Sequence, residues 1–320
     1  MKVLVTGGAG FIGSHLCRRL LEEGHRVTCV DNLDDYYDPA IKARRLEELE
    51  ERSGFAFLKG DLLDVDFLEK KVFDGEYETV VHLAARPGVR ASFMEPERYF
   101  RNNIMGILNL LECCRKRSVG KVLFGSSSSV YGSTEDIPFS ERSRLRPISP
   151  YGISKAAGEM VCSMYNELFH IPIVALRFFT VYGPGQRPDM GIHQFTRRIY
   201  RGEKVIVYGE GDTARDYTHV RDILDGIISA MELEGEYEVI NLGDSRPIRL
   251  DYLLSLIEEN LGVKARIERL PEQPGDPRMT HADISKAEAL LGYRPRIPIE
   301  EGIRDFVQWF VKEGKDLDAG

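Results

Sequence analysis

No segment of this 320-residue chain comes near the ~20 consecutive apolar residues that a membrane-spanning helix needs. The opening Met-Lys-Val-Leu-Val-Thr-Gly-Gly stops at glycine before a signal-peptide core can form. Positive charge is not in excess: 43 Lys and Arg against 51 Asp and Glu leave a formal net charge of −8, the wrong sign for a binder of phosphate backbones. The five cysteines (Cys17, Cys29, Cys113, Cys114, Cys162) are odd in number, with no C-x-x-C spacing and no accompanying His cluster. That pattern supports neither a disulfide framework nor a zinc site. The expectations are a soluble cytoplasmic protein with reduced thiols, no metal, no nucleic-acid partner and no membrane partner. Repeats and low-complexity tracts are also lacking, and 42 % hydrophobic with 29 % charged residues excludes a disordered or coiled-coil chain.

What is present is an alternation. Val3–Val5, Arg26–Val30, Ala56–Leu58, Thr79–His82, Lys121–Phe124 and Pro172–Leu176 read as strands rich in β-branched residues. Helical patterns near Ile12–Glu23, Val65–Phe73, Asn103–Arg117 and Tyr151–Phe169 lie between them, and the charged stretch Pro39–Arg52 reads as an exposed helix with a solvated face. Strand–helix alternation predicts an α/β fold, a Rossmann-type doubly wound parallel sheet. After about residue 178 the rhythm changes. Val220–Glu232 and Val239–Leu242 read as one more helix–strand unit of the sheet, while Ile248–Leu261, Ile284–Leu290 and Ile299–Val311 supply a smaller C-terminal mixed α/β lobe. The expected division is a dinucleotide-binding domain over 1–178 plus about 219–246, and a substrate lobe over 179–218 and 247–320.

Gly7, Gly10 and Gly13 stand between the first strand and the first helix, with Phe11 and Ile12 inside the motif. Glycines there permit a tight turn and close backbone approach, and the helix N-terminus offers free N–H groups to a pyrophosphate. Asp31 closes the second strand 18 residues after Gly13. A carboxylate there accepts from both ribose hydroxyls and repels a 2′-phosphate, so the predicted cofactor is NAD rather than NADP. Asn32 beside Asp31, Asp61 and Leu62 after the third strand, and Leu83, Ala84 and Ala85 after the fourth complete the expected cofactor contacts; Asp61 is placed to reach an adenine amino group.

Tyr151 and Lys155, four apart, share one helical face, and a nearby ammonium favours a phenolate and makes it a usable base. Ser127, in the Ser126–Ser129 run that follows the fifth strand, can place a hydroxyl beside the same substrate oxygen. Taken alone, Tyr-x-x-x-Lys also fits an ordinary surface helix.

Together with Thr6–Gly13, His82–Ala85, Ser126–Gly132, Tyr182-Gly183-Pro184 and Arg215–Val220, these motifs make the whole chain resemble the extended short-chain dehydrogenase/reductases, specifically the NAD-dependent nucleotide-sugar epimerases. The resemblance implies an isomerase in which Tyr151 is the base, Lys155 holds the nicotinamide ribose and lowers the tyrosine pKa, and Ser127 hydrogen-bonds the reacting hydroxyl. Asn102 matches a position that supports the active-site helix and its water. Ser128-Ser129 stands where a family dehydratase carries Asp-Glu, and Gly152-Ile153-Ser154 lacks the acidic residues of a uronate decarboxylase, so the implied chemistry is 4-epimerisation through a 4-keto sugar.

The segment Arg177–Met190, with Thr180 where hexose epimerases usually have Asn and with Arg187-Pro-Asp-Met, resembles the UDP-glucuronate 4-epimerases. The run around Arg90 points the same way. A C6 carboxylate needs donors, and Arg187, Thr180 and Ser128 can supply them. For the UDP moiety, Arg215 and Arg278 match diphosphate-contacting positions, Asp276 one near the uridine ribose, and Tyr208 one against the uracil. Arg278 is more usual in hexose and N-acetylhexosamine epimerases, so UDP-glucose/UDP-galactose stays open as the alternative. The resemblance further implies a homodimer built on the helices near Asn103–Arg117 and Tyr151–Phe169. Leu108, Leu111, Met160 and Met164 are its candidate anchors, or else ordinary core.

Overall fold

The computed structural model describes residues 1–132, 134, 136–271 and 278–316. The strands are β1 (Lys2–Thr6), β2 (Arg26–Asp31), β3 (Phe55–Lys59), β4 (Thr79–His82), β5 (Lys121–Ser127), β6 (Ile173–Phe178), β7 (Thr180–Tyr182), β8 (Lys204–Tyr208), β9 (Ala214–His219), β10 (Tyr237–Leu242), β11 (Pro247–Arg249) and β12 (Arg266–Leu270). The first eight α-helices are α1 (Phe11–Glu22), α2 (Pro39–Glu50), the short α3 (Val65–Phe67), α4 (Val89–Met94), α5 (Pro96–Phe100), α6 (Gly106–Lys116), α7 (Pro150–Phe169) and α8 (Gly191–Tyr200). They are followed by α9 (Val220–Glu232), α10 (Leu250–Leu261), α11 (Ser285–Leu291) and α12 (Ile299–Lys312).

Seven strands pair in the order β10-β6-β5-β4-β1-β2-β3, every neighbour parallel. A parallel sheet is covered by helices on both faces, which explains why its strands carry unbroken apolar runs rather than alternation. Val3, Leu4 and Val5 are all fully buried, the two outer ones in one core cluster and Leu4 in the cluster on the opposite face. The order reverses beside β1, the switch point at which a doubly wound sheet opens a crevice beyond its strand ends. The smaller lobe holds a three-stranded sheet β11-β9-β7 and a two-stranded β12-β8, packed with α8, α10 and α12 around Ile257, Ile303 and Phe306.

The structure differs from the sequence expectation in three places, the first being that the helix near Asn103–Arg117 begins as a π turn over Arg101–Met105 before α6. The Val65–Phe73 helix is α3 followed by a wider π turn over Leu68–Val72. The face of α2 is not simply solvated: Ile41, Lys42, Leu46 and Leu49 are buried. Lys42 lies in helical phase with Leu46 and Leu49, so the same packing that buries the leucines carries an ammonium inward.

Three histidines, His82 and His219 buried and His15 half-buried, are held neutral. Burial pushes His82 down to about 3, His219 to about 3 and His15 to about 4. His82 Nδ1 lies 2.7 Å from the Thr6 hydroxyl and His15 Nε2 2.8 Å from the Pro184 carbonyl. Between pH 6.5 and about 4 the unfolded chain takes up protons that these imidazoles refuse, so stability falls as the pH falls through that window. A melting temperature that is flat from pH 7 to 4.5 would contradict this.

Candidate active site

The C-terminal ends of β1, β2, β4, β5 and β6 open into a cavity of about 450 Å³. Its floor is the turn from β1 into α1. Gly7 has φ +71, and a Cβ there would meet the Ala84 nitrogen at 2.6 Å; a Cβ at Gly13 would meet the Gly7 carbonyl oxygen at 2.2 Å. Only glycine lets these backbones close together. No side chain caps the helix at Gly10, so the first N–H groups of α1 stay available for an anionic group. These are the features a dinucleotide pyrophosphate requires.

Asp31 ends β2 at the cavity wall. Its carboxylate accepts from Ala9 N at 3.2 Å and Leu33 N at 2.9 Å, with Lys42 Nζ 3.4 Å away. Asn32 donates to Asp61 at 2.9 Å, tying the ends of β2 and β3 together beside Leu62. Phe11, Ile12, Leu83, Ala84 and Ala85 line the same space. Lys42, Tyr36, Tyr37 and Arg86 line it too, and sequence reasoning missed them. The signal for Lys42 was a lysine on the apolar phase of its helix. Arg86, buried, donates from Nη1 to both Asp34 oxygens at 2.9 and 3.1 Å and from Nη2 to Glu95 at 2.7 Å, bracing the loop after β2 against the end of α4.

The reactive end is built on α7. Ser149 caps the helix by accepting from Gly152 N at 3.1 Å, and Pro150 occupies its first turn. Tyr151 and Lys155 therefore emerge within a well-defined helical start, and both line the cavity with Ser127. Lys155 Nζ donates to the Gly125 carbonyl at 2.6 Å and lies 5.0 Å from the Phe124 ring; burial lowers it to about 8. The expected fall in the tyrosine pKa is not what the structure shows. Burial raises the Tyr151 phenol, while a hydrogen bond with Ser127 and the charge of Arg187 oppose that rise. Lys155 is directed at the strand carbonyl, and the cation acting on the phenol is Arg187.

Asn102 lines the cavity, but the residue that supports the active-site helix is its neighbour. Asn103 donates to Ser154 Oγ at 2.9 Å and exchanges bonds with the Arg86 backbone at 2.7 and 3.1 Å.

Ser128, Thr180 and Arg187 share the cavity with Tyr151. Arg90, expected from the glucuronate-like run, and the residues expected at UDP form two further groups outside this lining. Arg90, on α4, stacks 5.1 Å from the Tyr208 ring at the end of β8, bridging the two parts of the chain. Arg215 Nη1 donates to the Ala214 carbonyl at 2.9 Å and reaches that of Arg278 at 3.3 Å, so these two arginines come together. Asp276 lies outside the described residues. Among the described residues no cluster of His, Cys, Asp and Glu is fit to hold a metal ion.

A family model described as "NAD dependent epimerase/dehydratase family" matches residues 3–243. A UDP-glucuronate 4-epimerase of Thermodesulfobacterium geofontis is 42% identical over 317 residues, covering 98% of this chain and 97% of that one. Among solved structures, the UDP-glucuronic acid 4-epimerase of Bacillus cereus, in complex with UDP-glucuronic acid and NAD, superposes with a TM-score of 0.91 at 38% identity, covering 98% of this chain and 99% of that one. The UDP-glucose 4-epimerase of Thermotoga maritima, with UDP-glucose, gives 0.90 at 36%, covering 98% and 99%.

Proposed function

The chain belongs to the NAD dependent epimerase/dehydratase family, and on that premise we propose that it is an NAD-dependent UDP-sugar 4-epimerase interconverting UDP-glucuronate and UDP-galacturonate. The observation that carries this reading is the placement of Arg187, Thr180 and Ser128 in one cavity with Ser127, Tyr151 and Lys155. A guanidinium thus lines the same cavity as the groups that handle the sugar hydroxyl.

NAD, when bound, supplies the reversible hydride acceptor. The residues fit it: the Gly7–Gly13 turn and the start of α1 hold the pyrophosphate, Asp31 the adenosine ribose, Asn32, Asp61 and Leu62 the adenine side, and Lys155 with Asn102 the nicotinamide side. Tyr151 takes the C4 hydroxyl proton as the 4-keto sugar forms and returns it after the sugar has turned. Ser127 bonds the same oxygen and holds the phenol in line. Ser128, Thr180 and Arg187 bind the C6 carboxylate in the sugar plane, which also restrains a β-keto acid from losing carbon dioxide. Arg215 and Arg278 take the diphosphate, Asp276 the uridine ribose, and Tyr208 and Arg90 the uracil side.

The smaller lobe, 179–218 and 247–320, closes the nucleotide sugar onto the larger domain. A second copy of the chain packs on the face where Met160, Met164 and Leu168 are exposed; Leu111 belongs to the core and Leu108 packs against it. All five cysteines are free and buried, which suits the reducing cytoplasm.

Incubating the protein separately with UDP-glucuronate and UDP-glucose, with products followed by NMR, tests the substrate. UDP-galacturonate should appear without decarboxylation or net NADH release. Turnover of UDP-glucose with UDP-glucuronate untouched would transfer the assignment to the hexose, the reading that Arg278 favours.

A further inference from the structure

Arg187 does not wait alone for a carboxylate. Its Nε donates to Asp189 Oδ1 and its Nη2 to Asp189 Oδ2, each at 2.9 Å, so one edge of the guanidinium is already filled by a bidentate fork. The pair is local. Arg187 and Asp189 flank Pro188 in a turn closed by Met190 N donating to the Arg187 carbonyl at 3.2 Å, and Gln194 Nε2 holds the Asp189 carbonyl at 3.0 Å. The Tyr36 ring lies 5.8 Å from the guanidinium carbon and steadies its plane. Asp189 also lines the cavity itself. Burial alone would raise its carboxyl, but the Arg187 charge and fork hold it below the usual carboxylate range, so it is an anion at neutral pH.

We infer that Asp189 is a specificity-determining residue: it competes with the substrate's C6 carboxylate for Arg187 and so tempers the site's preference for uronates over hexoses. This deepens the proposed function and rests on its placement of the sugar. A guanidinium carries five N–H donors. Asp189 uses the Nε and one Nη2 proton, which leaves Nη1 and the remaining Nη2 proton for a ligand. A uronate arriving at that edge is attracted by Arg187 and repelled by a fixed carboxylate on the far side of the same group. The repulsion is smaller than the attraction, roughly half of it, because the second carboxylate lies about one guanidinium width farther from the ligand. A neutral C6 hydroxyl feels no such opposition, since it carries no charge to be repelled. The alternative role for Asp189, holding Arg187 in a productive orientation, predicts the opposite sign.

The test is calorimetric binding of UDP-glucuronate and UDP-glucose to the full-length wild type and to Asp189→Asn, which keeps the side-chain shape. The ratio of the two dissociation constants should move about ten-fold toward the uronate. In an Arg187→Met background the same Asp189→Asn change should leave the ratio where Arg187→Met put it, because the competition needs the guanidinium. An unchanged ratio, a shift toward the hexose, or a shift that persists without Arg187 would each overturn the inference. The reading of the enzyme as a glucuronate epimerase fails separately, through wild-type turnover, while the change in binding ratio is still measured.

Discussion

Tyr151→Phe lowers kcat for 4-epimerisation by about 10²–10⁴-fold, the range that general acid–base catalysis supplies, and leaves KM nearly unchanged. The phenol oxygen is the group that exchanges a proton with the sugar, and the substitution removes only that atom. The ring stays, edge-on to Tyr99 at 6.3 Å between centroids, so the start of α7 keeps its packing and its Ser149 cap. The melting temperature and the amount of bound dinucleotide should therefore match wild type, which separates lost chemistry from lost structure. Because burial raises the phenol, the residue cannot serve as a base without cations near it. Arg187 is one. Lys155, lowered to about 8, is the second candidate, and its charge is present below that pH and lost above it. Wild-type activity is accordingly expected to fall as the pH rises beyond about 8, a limb that Tyr151→Phe, being nearly inactive, lacks. A variant retaining a tenth or more of wild-type kcat would remove Tyr151 from the reaction.

Much of this site is legible in the sequence, and the parts that are not have physical reasons. The strands β1, β2, β4, β5 and β6 are legible because a parallel sheet buries both faces and forces nearly continuous apolar runs, whereas the edge strand β3 is only partly buried. β12, Arg-Ile-Glu-Arg-Leu, has little buried surface and no such run, while β9 reads as a ligand motif because Arg215, Asp216 and His219 sit in it. Asp216 is in fact a fully buried carboxylate that accepts from the backbones of Asp244, Ser245 and Ala282 at 2.7–3.0 Å, a joint between strands rather than a ligand. Motif spacing locates Tyr151 and Lys155 because helical phase is a local property, and Ser127 because it closes the apolar run of β5. It does not reveal that Lys155 is turned to the Gly125 carbonyl, or that Arg187 is shared with Asp189, since those depend on which loops the tertiary fold brings over the cavity.

Glu159 lies two helical turns beyond Tyr151 on the same face of α7, and its replacement is expected to carry the largest cost in stability. Its carboxylate accepts Ser126 Oγ at 2.5 Å and Arg177 Nε at 2.9 Å through one oxygen, and Arg177 Nη2 at 2.7 Å through the other. Both partners are almost completely buried, and Arg177 stands in a strand otherwise made of apolar residues. Arg177 continues to the Tyr131 hydroxyl at 2.9 Å, which donates to Asn241 on β10 at 2.6 Å. Removing the carboxylate leaves a buried guanidinium uncompensated, and breaking such a pair costs about 3–5 kcal/mol, even though the intact pair gives little net stability over apolar residues. Glu159→Gln should thus lower the melting temperature by roughly 10 °C. Exchanging both partners, Glu159→Leu with Arg177→Met, should recover most of that loss, because no orphaned charge remains. The double variant still lacks the acceptor that holds Ser126 beside Ser127, so kcat should stay reduced while stability returns. A single variant as stable as wild type, or a double variant less stable than the single, would show that the charge pair is not what ties the catalytic helix to β5 and β6.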